Sequence, residues 1–304
     1  MVEKNIEVQP SKAMIILAFV AIYLIWGSTY FFNKVVIQEI PPYASAGIRF
    51  VLASIIIFTG AKLMKIPFDI NFEKFKNASI LGVLFLTLGN GGVVWALQFV
   101  DSGFAALLIS AQPLVLIILM WVLDRKKIAP RTIFGVGLGM LGIYLLTSDT
   151  EIVHNGDYYI GVAVIFFCLV CWGYGSIFAT KAEIPSNQFV NSGVQMVVGG
   201  LLMLLISLAI GEDWTKMDQV SMQVWWGLIY LIFFGSIIAY TSFNFLLKFI
   251  SPEKVSTNTY VNPIVAMFLG WFYLSEPITT RSIIAAVILL AGVFVINTRK
   301  TSKL

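Results

Sequence analysis

Along this chain, long apolar runs alternate with short polar breaks, and the runs are nearly all of one length. Between clusters of charge lie stretches of roughly 20 apolar residues, the length that carries an α-helix across a bilayer. Ten such runs can be marked, at about 13–33, 43–61, 78–100, 103–123, 132–148, 158–180, 188–210, 223–247, 253–274 and 281–297. The breaks between them are too short to hold a soluble domain. The pattern predicts an all-α membrane protein with ten transmembrane helices.

Composition agrees. Of 304 residues, 59% are hydrophobic and 12% charged, against about 25% charged in an ordinary soluble protein. The mean hydropathy is +0.88, and a soluble domain of this size would need far more polar surface. The first apolar run is too long for a signal-peptide core and has no A-x-A cleavage site, so it is expected to remain as the first helix.

The basic residues give a direction, because Lys and Arg collect in cytoplasmic loops. With a cytoplasmic N-terminus, 16 of the 20 Lys and Arg fall in inside segments, 3 (Lys34, Lys216 and Arg281) fall outside, and Arg49 lies within a span. The outer stretch with Asp149, Glu151, His154 and Asp157 is acidic. Both termini are therefore expected on the cytoplasmic side. The net charge of +4 follows this topology and is no nucleic-acid signal.

The chain also resembles itself. SAQPLVLIILMW at 110–121 returns 150 residues later as YVNPIVAMFLGW at 260–271. In each, an amide precedes a proline (Gln112–Pro113, Asn262–Pro263) and a tryptophan closes the segment (Trp121, Trp271). ALQFVDSGFAAL (96–107) pairs with LLKFISPEKVST (246–257), and GMLGIYLL (139–146) with LLAGVFVI (289–296). WGSTYFFNK (26–34) pairs with WGYGSIFAT (172–180) at an offset of 146. Two five-span units result, 13–148 and 158–297. Five is odd, so the second unit enters the membrane from the opposite side. Inverted repeats of this kind are common in secondary transporters, which bind substrate near the midplane between the repeats.

Pro113 and Pro263 fall about mid-helix in the fourth and ninth spans, where an interior proline kinks a helix and frees a carbonyl. Irregular backbone at that depth is tolerated where protein or a water-filled cavity covers it. The adjacent amides, Gln112 and Asn262, can satisfy exposed backbone or a ligand. The bland alternative is that each proline only bends a helix to pack.

Polar groups in the bilayer core are costly and usually functional. No Asp or Glu lies inside a predicted span away from its ends; Asp101, Glu183, Glu253 and Glu276 all sit near ends. This favours facilitated transport of neutral or zwitterionic cargo over proton antiport or export of permanent cations. Arg49 lies six residues past Tyr43, about 9 Å along the helix. It can snorkel to the outer headgroups, or face a cavity and pair with a cargo carboxylate. Trp26 and Trp172 hold corresponding places in the first and sixth spans, to stack on cargo or to fill a helix crossing. Asn90 and Trp95, Tyr240 and Asn244, and Asn258 and Tyr260 complete the candidate substrate-binding set, with helix-to-helix bonding as the alternative for any buried amide. Trp225 and Trp226 read as interfacial belt residues.

Three patterns carry no chemistry. Cys168 and Cys171 form a CxxC on one face of an apolar helix and read as small hydrophobes. GLGMLG (137–142) matches G-x-G-x-x-G, but no strand precedes it, and Gly135 and Gly139 are spaced for close helix packing. His154, the one histidine, sits in an outer loop and reads as solvated, so no metal site is expected.

The WGSTYFFNK start, the AL-x-F stretch opening the fourth span, the two proline-centred spans, FLGWFYLSEPIT and the closing AGVFVIN resemble the drug/metabolite transporter superfamily, and within it the EamA-like ten-helix permeases. The likeness covers essentially the whole chain. It implies a permease for small metabolites, frequently an exporter of amino acids or related compounds across a bacterial inner membrane. It also implies a central cavity lined by spans 1, 3, 4, 6, 8 and 9. The glutamate that such permeases often carry after the ninth span is Glu276, whereas the first repeat has Lys126 there.

A carrier is thus the expected function, with a multidrug or toxic-compound exporter as the alternative. A membrane enzyme would need clustered intramembrane His, Asp or Glu, a channel a polar stripe or filter loop, and a pump a nucleotide-binding motif; none of these appears. Neither catalysis nor a cofactor is expected. The expected partners are a small-molecule substrate and the lipid bilayer, not nucleic acid, and nothing in the sequence calls for more than a monomer.

Overall fold

A computed structural model describes residues 10–125, 130–147 and 156–297. The turn at Lys126 and the stretch with Asp149, Glu151 and His154 lie outside the described residues. Within them every regular element is helical. In chain order these are α1 (Lys12–Val36), α2 (Pro42–Leu63), α3 (Phe72–Ala96), α4 (Ser102–Ile109), α5 (Gln112–Asp124), α6 (Pro130–Thr147), α7 (Gly156–Ala179), α8 (Gln188–Ala209), α9 (Met222–Phe249), α10 (Pro252–Val255), α11 (Asn262–Leu274) and α12 (Thr280–Asn297).

Helix ends fall where the sequence supplies caps. Ser11 accepts from Met14 N at 3.2 Å, Asn71 from Lys74 N at 2.8 Å, and Asn187 from Phe189 N at 2.9 Å. By length and composition, seven helices among the described residues can cross a membrane: α1, α2, α3, α4 and α5 taken together, α7, α8 and α9. Apolar helices at Ile133–Leu145 and Thr280–Gly292 are shorter. The span expected at 253–274 is divided into α10, a 3-10 stretch at Ser256–Tyr260 and α11. Three helices loosen into π-helical turns, α1 at Ala21–Ile25, α3 at Gly82–Gly91 and α9 at Leu231–Tyr240, a rare conformation found often at functional sites.

The prolines correct one expectation. Pro113 and Pro263 do not kink continuous helices. The helix stops before each of them, and each proline stands in the first turn of a restarted helix, α5 or α11. A first-turn residue has no intrahelical acceptor for its N–H, so proline costs nothing there. The two restarts match in detail. Leu114 N and Val115 N both donate to Ala111 O (2.9 and 3.2 Å), and Ile264 N and Val265 N both donate to Val261 O (3.1 and 3.3 Å). Both restarted helices also end on a left-handed residue, Arg125 at φ 51° and Ser275 at φ 56°.

The exterior is apolar, unlike that of a soluble protein, and polar groups lie buried among an apolar core. Leu17, Leu63, Phe134, Met140, Leu208 and Val287 are exposed on its sides, while Arg49, Asn191, Ser192, Gln195 and Ser236 are buried. An apolar exterior with the membrane-depth polar groups kept inside is the arrangement that a lipid solvent selects. The chain is a multi-pass membrane protein.

Candidate functional site

A cavity of about 90 Å³ lies where the two helix restarts approach α1 and α7. Its walls come from α1 (Trp26, Thr29, Tyr30, Asn33), α3 (Asn90, Val93), the first restart (Ile109, Gln112, Leu116), α7 (Cys168, Leu169, Trp172, Ser176), α9 (Phe243) and the second restart (Ser256, Asn258, Thr259, Asn262). None of the lining residues is charged.

Two glycines set how closely these elements meet. A Cβ on Gly27 would stand 3.2 Å from the backbone of Asn262, and one on Gly173 would stand 3.2 Å from the Gln112 amide. Bare backbone at these positions lets α1 lie on the second restart and α7 on the first. The two glycines directly follow Trp26 and Trp172, whose rings consequently turn into the shared space.

There the tryptophans form an aromatic wall. The Trp26 and Trp172 rings meet edge to face at 5.7 Å, and Phe243 packs against both, at 5.1 and 5.3 Å. Trp26 Nε1 donates to Gly235 O at 3.4 Å. Amides line the same cavity. Gln112 Nε2 donates to Leu169 O at 3.2 Å. Asn262 satisfies its neighbours with its nitrogen toward Tyr23 O and Asn258 O (3.0 and 3.1 Å) and its oxygen toward Asn258 Nδ2 at 3.1 Å. These bonds tie the first restart to α7 and the second to α1 and to its own backbone. The Asn90 side-chain oxygen is shielded from solvent and has no donor.

Of the residues singled out from the sequence, Trp26, Asn90, Gln112, Trp172, Asn258 and Asn262 line this cavity and the others do not. Trp95 is half-buried against Phe99, with ring centroids 4.8 Å apart. Tyr260 packs beside Ala111, Leu114 and Leu169. Tyr240 and Asn244 both donate to Gln195 Oε1, at 2.5 and 3.2 Å, and so tie α9 to α8. Arg49 neither snorkels outward nor lines the cavity: it is 2% exposed and donates to Ser236 Oγ at 2.8 Å and to Asn33 Oδ1 at 3.1 Å. Thr29, Tyr30, Asn33, Ser176, Phe243 and Thr259 are wall residues that the sequence reading missed. For α1 a signal existed, since Trp26, Thr29, Tyr30 and Asn33 follow the i, i+3, i+4, i+7 spacing of one helix face.

The two ends of the molecule differ. At one, Pro252 lines both the cavity and a vestibule of about 810 Å³ that also takes in Lys74, Lys181 and Lys248. At the other, side chains bind helix ends together. Lys34 Nζ donates to Leu97 O and Val100 O (2.6 and 2.9 Å), just past the end of α3. The buried Glu276 carboxylate accepts from Ser102 N, Ser102 Oγ and Gly103 N at 2.8, 2.8 and 3.1 Å, closing the start of α4. Burial raises the neighbouring Asp101 carboxyl above the usual carboxylate range, Glu276 adds to the rise, and Lys34 opposes it.

The chain matches the family described as "EamA-like transporter family" twice, over residues 13–148 and 159–298. It is 31% identical over 256 residues to "Uncharacterized inner membrane transporter YedA" of Escherichia coli (strain K12), covering 83% of this chain and 80% of that protein. It is 24% identical over 286 residues to "Uncharacterized transporter YoaV" of Bacillus subtilis (strain 168), covering 92% and 95%. "Protein PecM" of Dickeya dadantii (strain 3937) is 25% identical over 276 residues, covering 90% and 89%. A solved crystal structure superposes with a TM-score of 0.68 at 16% identity, covering 94% of this chain and 97% of that one, a likeness of fold alone.

Proposed function

The chain belongs to the EamA-like family of membrane transporters, within the drug/metabolite transporter superfamily, and on that premise we propose a secondary permease that exports a small neutral or zwitterionic metabolite, an amino acid or a related compound. The membrane is the bacterial cytoplasmic one, in keeping with the inner membrane named for YedA. In this reading the chain crosses ten times as two inverted five-helix units, 13–148 and 158–297, with both termini cytoplasmic. The matched backbone at the two restarts and the paired contacts of Gly27 and Gly173 support that symmetry.

The observation that carries the reading is the cavity at the junction of two broken helices, a recurrent substrate position in inverted-repeat carriers. Trp26 and Trp172 supply surface for stacking, and Asn90, Gln112, Asn258 and Asn262 supply hydrogen bonds. Arg49, Tyr240 and Asn244 hold the walls from behind. The vestibule gathers lysines from chain segments assigned to the cytoplasmic side, so this conformation is the one that loads from inside. Alternating access then requires the contacts of Lys34 and Glu276 at the far end to part.

Counterflow in proteoliposomes tests the carrier mechanism. Cargo on the trans side is expected to accelerate uptake, whereas a pore would be indifferent to it, and indifference would reject the proposal. Gln112→Ala and Asn262→Ala are each expected to lower flux at least tenfold while membrane insertion is retained. Full flux in both variants would move the binding site elsewhere.

A further inference from the structure

Arg49 is buried in α2, and among the described residues no carboxylate lies within ion-pair distance of it. Its neighbours are neutral: Ser236 Oγ, Asn33 Oδ1 and the ring of Phe50, whose centroid is 4.3 Å from the guanidinium carbon. A guanidinium stays charged at any physiological pH and has only donors to offer. It therefore dictates which way the Asn33 amide points, because only the oxygen can accept from it. The amide nitrogen of Asn33 has no hydrogen-bond partner among the described residues, and Asn33 lines the cavity. A donor polarised by a full positive charge thus stands at the wall of an otherwise uncharged space. The same cavity holds one shielded acceptor that lacks a donor, Asn90 Oδ1.

Resting on the permease reading above, we infer that the Arg49–Asn33 pair is the specificity element of the cavity: it selects cargo that carries a carboxylate and rejects organic cations. The carboxylate accepts from the Asn33 amide and is held by the charge behind it, since charge-assisted hydrogen bonds are the strong ones and low polarity around them strengthens them further. A cation in the same place meets an uncompensated like charge. Asn90 Oδ1 is the acceptor for an ammonium on the same cargo, so a zwitterion satisfies both ends. Arg49 touches no cargo in this scheme and acts by positioning and polarising Asn33.

The test uses three probes with one aromatic body, chosen because Trp26, Trp172 and Phe243 wall the cavity: phenylalanine, phenylpropionate and phenethylamine. Binding is read as thermal stabilisation of the purified full-length chain, and transport as counterflow in proteoliposomes. Phenylalanine and phenylpropionate are expected to bind at least tenfold more tightly than phenethylamine. Asn33→Asp gives Arg49 an internal carboxylate, so both carboxylate probes should weaken at least tenfold and the amine should gain. Asn33→Ala keeps the Arg49 charge and loses the donor, so the carboxylate probes should weaken while the amine stays rejected. A purely structural role for the pair would lower stability and leave these ratios unchanged. Equal affinity for all three probes, no binding of any, or an unaltered ratio in Asn33→Asp overturns the inference. Flux without charge discrimination would overturn it and leave the carrier standing, whereas the expected binding order without counterflow would do the reverse.

Discussion

Glu276→Ala is expected to lower the stability of the folded protein by about 3–5 kcal/mol, the range for removing one partner of a buried, charge-assisted set. The carboxylate accepts three hydrogen bonds, two from backbone N–H groups in the first turn of α4 and one from Ser102 Oγ. A helix start has four N–H groups without intrahelical acceptors and carries partial positive charge, so an acid is the fitting cap. Alanine would leave buried donors with nothing to bond. Glu276→Gln keeps an acceptor and loses the charge, and about half the loss is expected from it. Thermal unfolding of detergent-purified protein orders the three chains as wild type, Glu276→Gln, Glu276→Ala. If the alanine variant unfolds with the wild type, the cap contributes nothing and the far end is held in some other way.

The second large effect is expected between α6 and α12. A Cβ on Gly292 would stand 2.7 Å from both Gly135 O and Gly139 N. Those atoms are backbone of the facing helix and cannot rotate aside as a flexible side chain would. Between apolar helices in lipid there is little hydrophobic drive to associate, so close approach of small residues supplies the attraction. Gly292→Val would force the helices apart, at a cost of about 3 kcal/mol or more, while Gly292→Ala would cost less. Loss of monodisperse protein on size-exclusion chromatography, with a lowered midpoint of thermal unfolding, checks this. A valine variant that matches the wild type in both would show that the pair is free to separate. The contact also explains GLGMLG. Gly135 and Gly139 serve a helix crossing, as their spacing indicates, and not a nucleotide.

Several side chains had roles that only neighbours could assign. Glu276 reads in sequence as a residue in an outer turn, yet it is buried, because the turn after α11 folds back and brings its carboxylate to the start of α4. Arg49 reads as a residue with two possible destinations, the headgroups or the cavity, and takes neither: Ser236 and Asn33 hold it one residue behind the wall. Tyr240 and Asn244, like Asn90, read in sequence as polar groups at membrane depth. Gln195, from a helix 45 residues earlier in the chain than Tyr240, occupies them instead. In each case the deciding partner is distant in sequence, and hydropathy carries no record of pairing.

Local features were legible for a physical reason. A bilayer demands apolar runs of set length, an inserted proline must be paid for in backbone geometry wherever it stands, and a charged loop resists transfer through lipid. These constraints act on each segment by itself, so the chain alone determined the membrane class, the helical segments, the paired irregularities at Gln112–Pro113 and Asn262–Pro263, and the family resemblance. Lipid is as apolar as a protein interior, however, and an apolar helix in it has no face marked for the core. Which way the uniformly apolar helices turn, that the prolines restart helices and do not bend them, and that Asn33 comes to stand between a buried charge and an open space were settled only by packing in three dimensions.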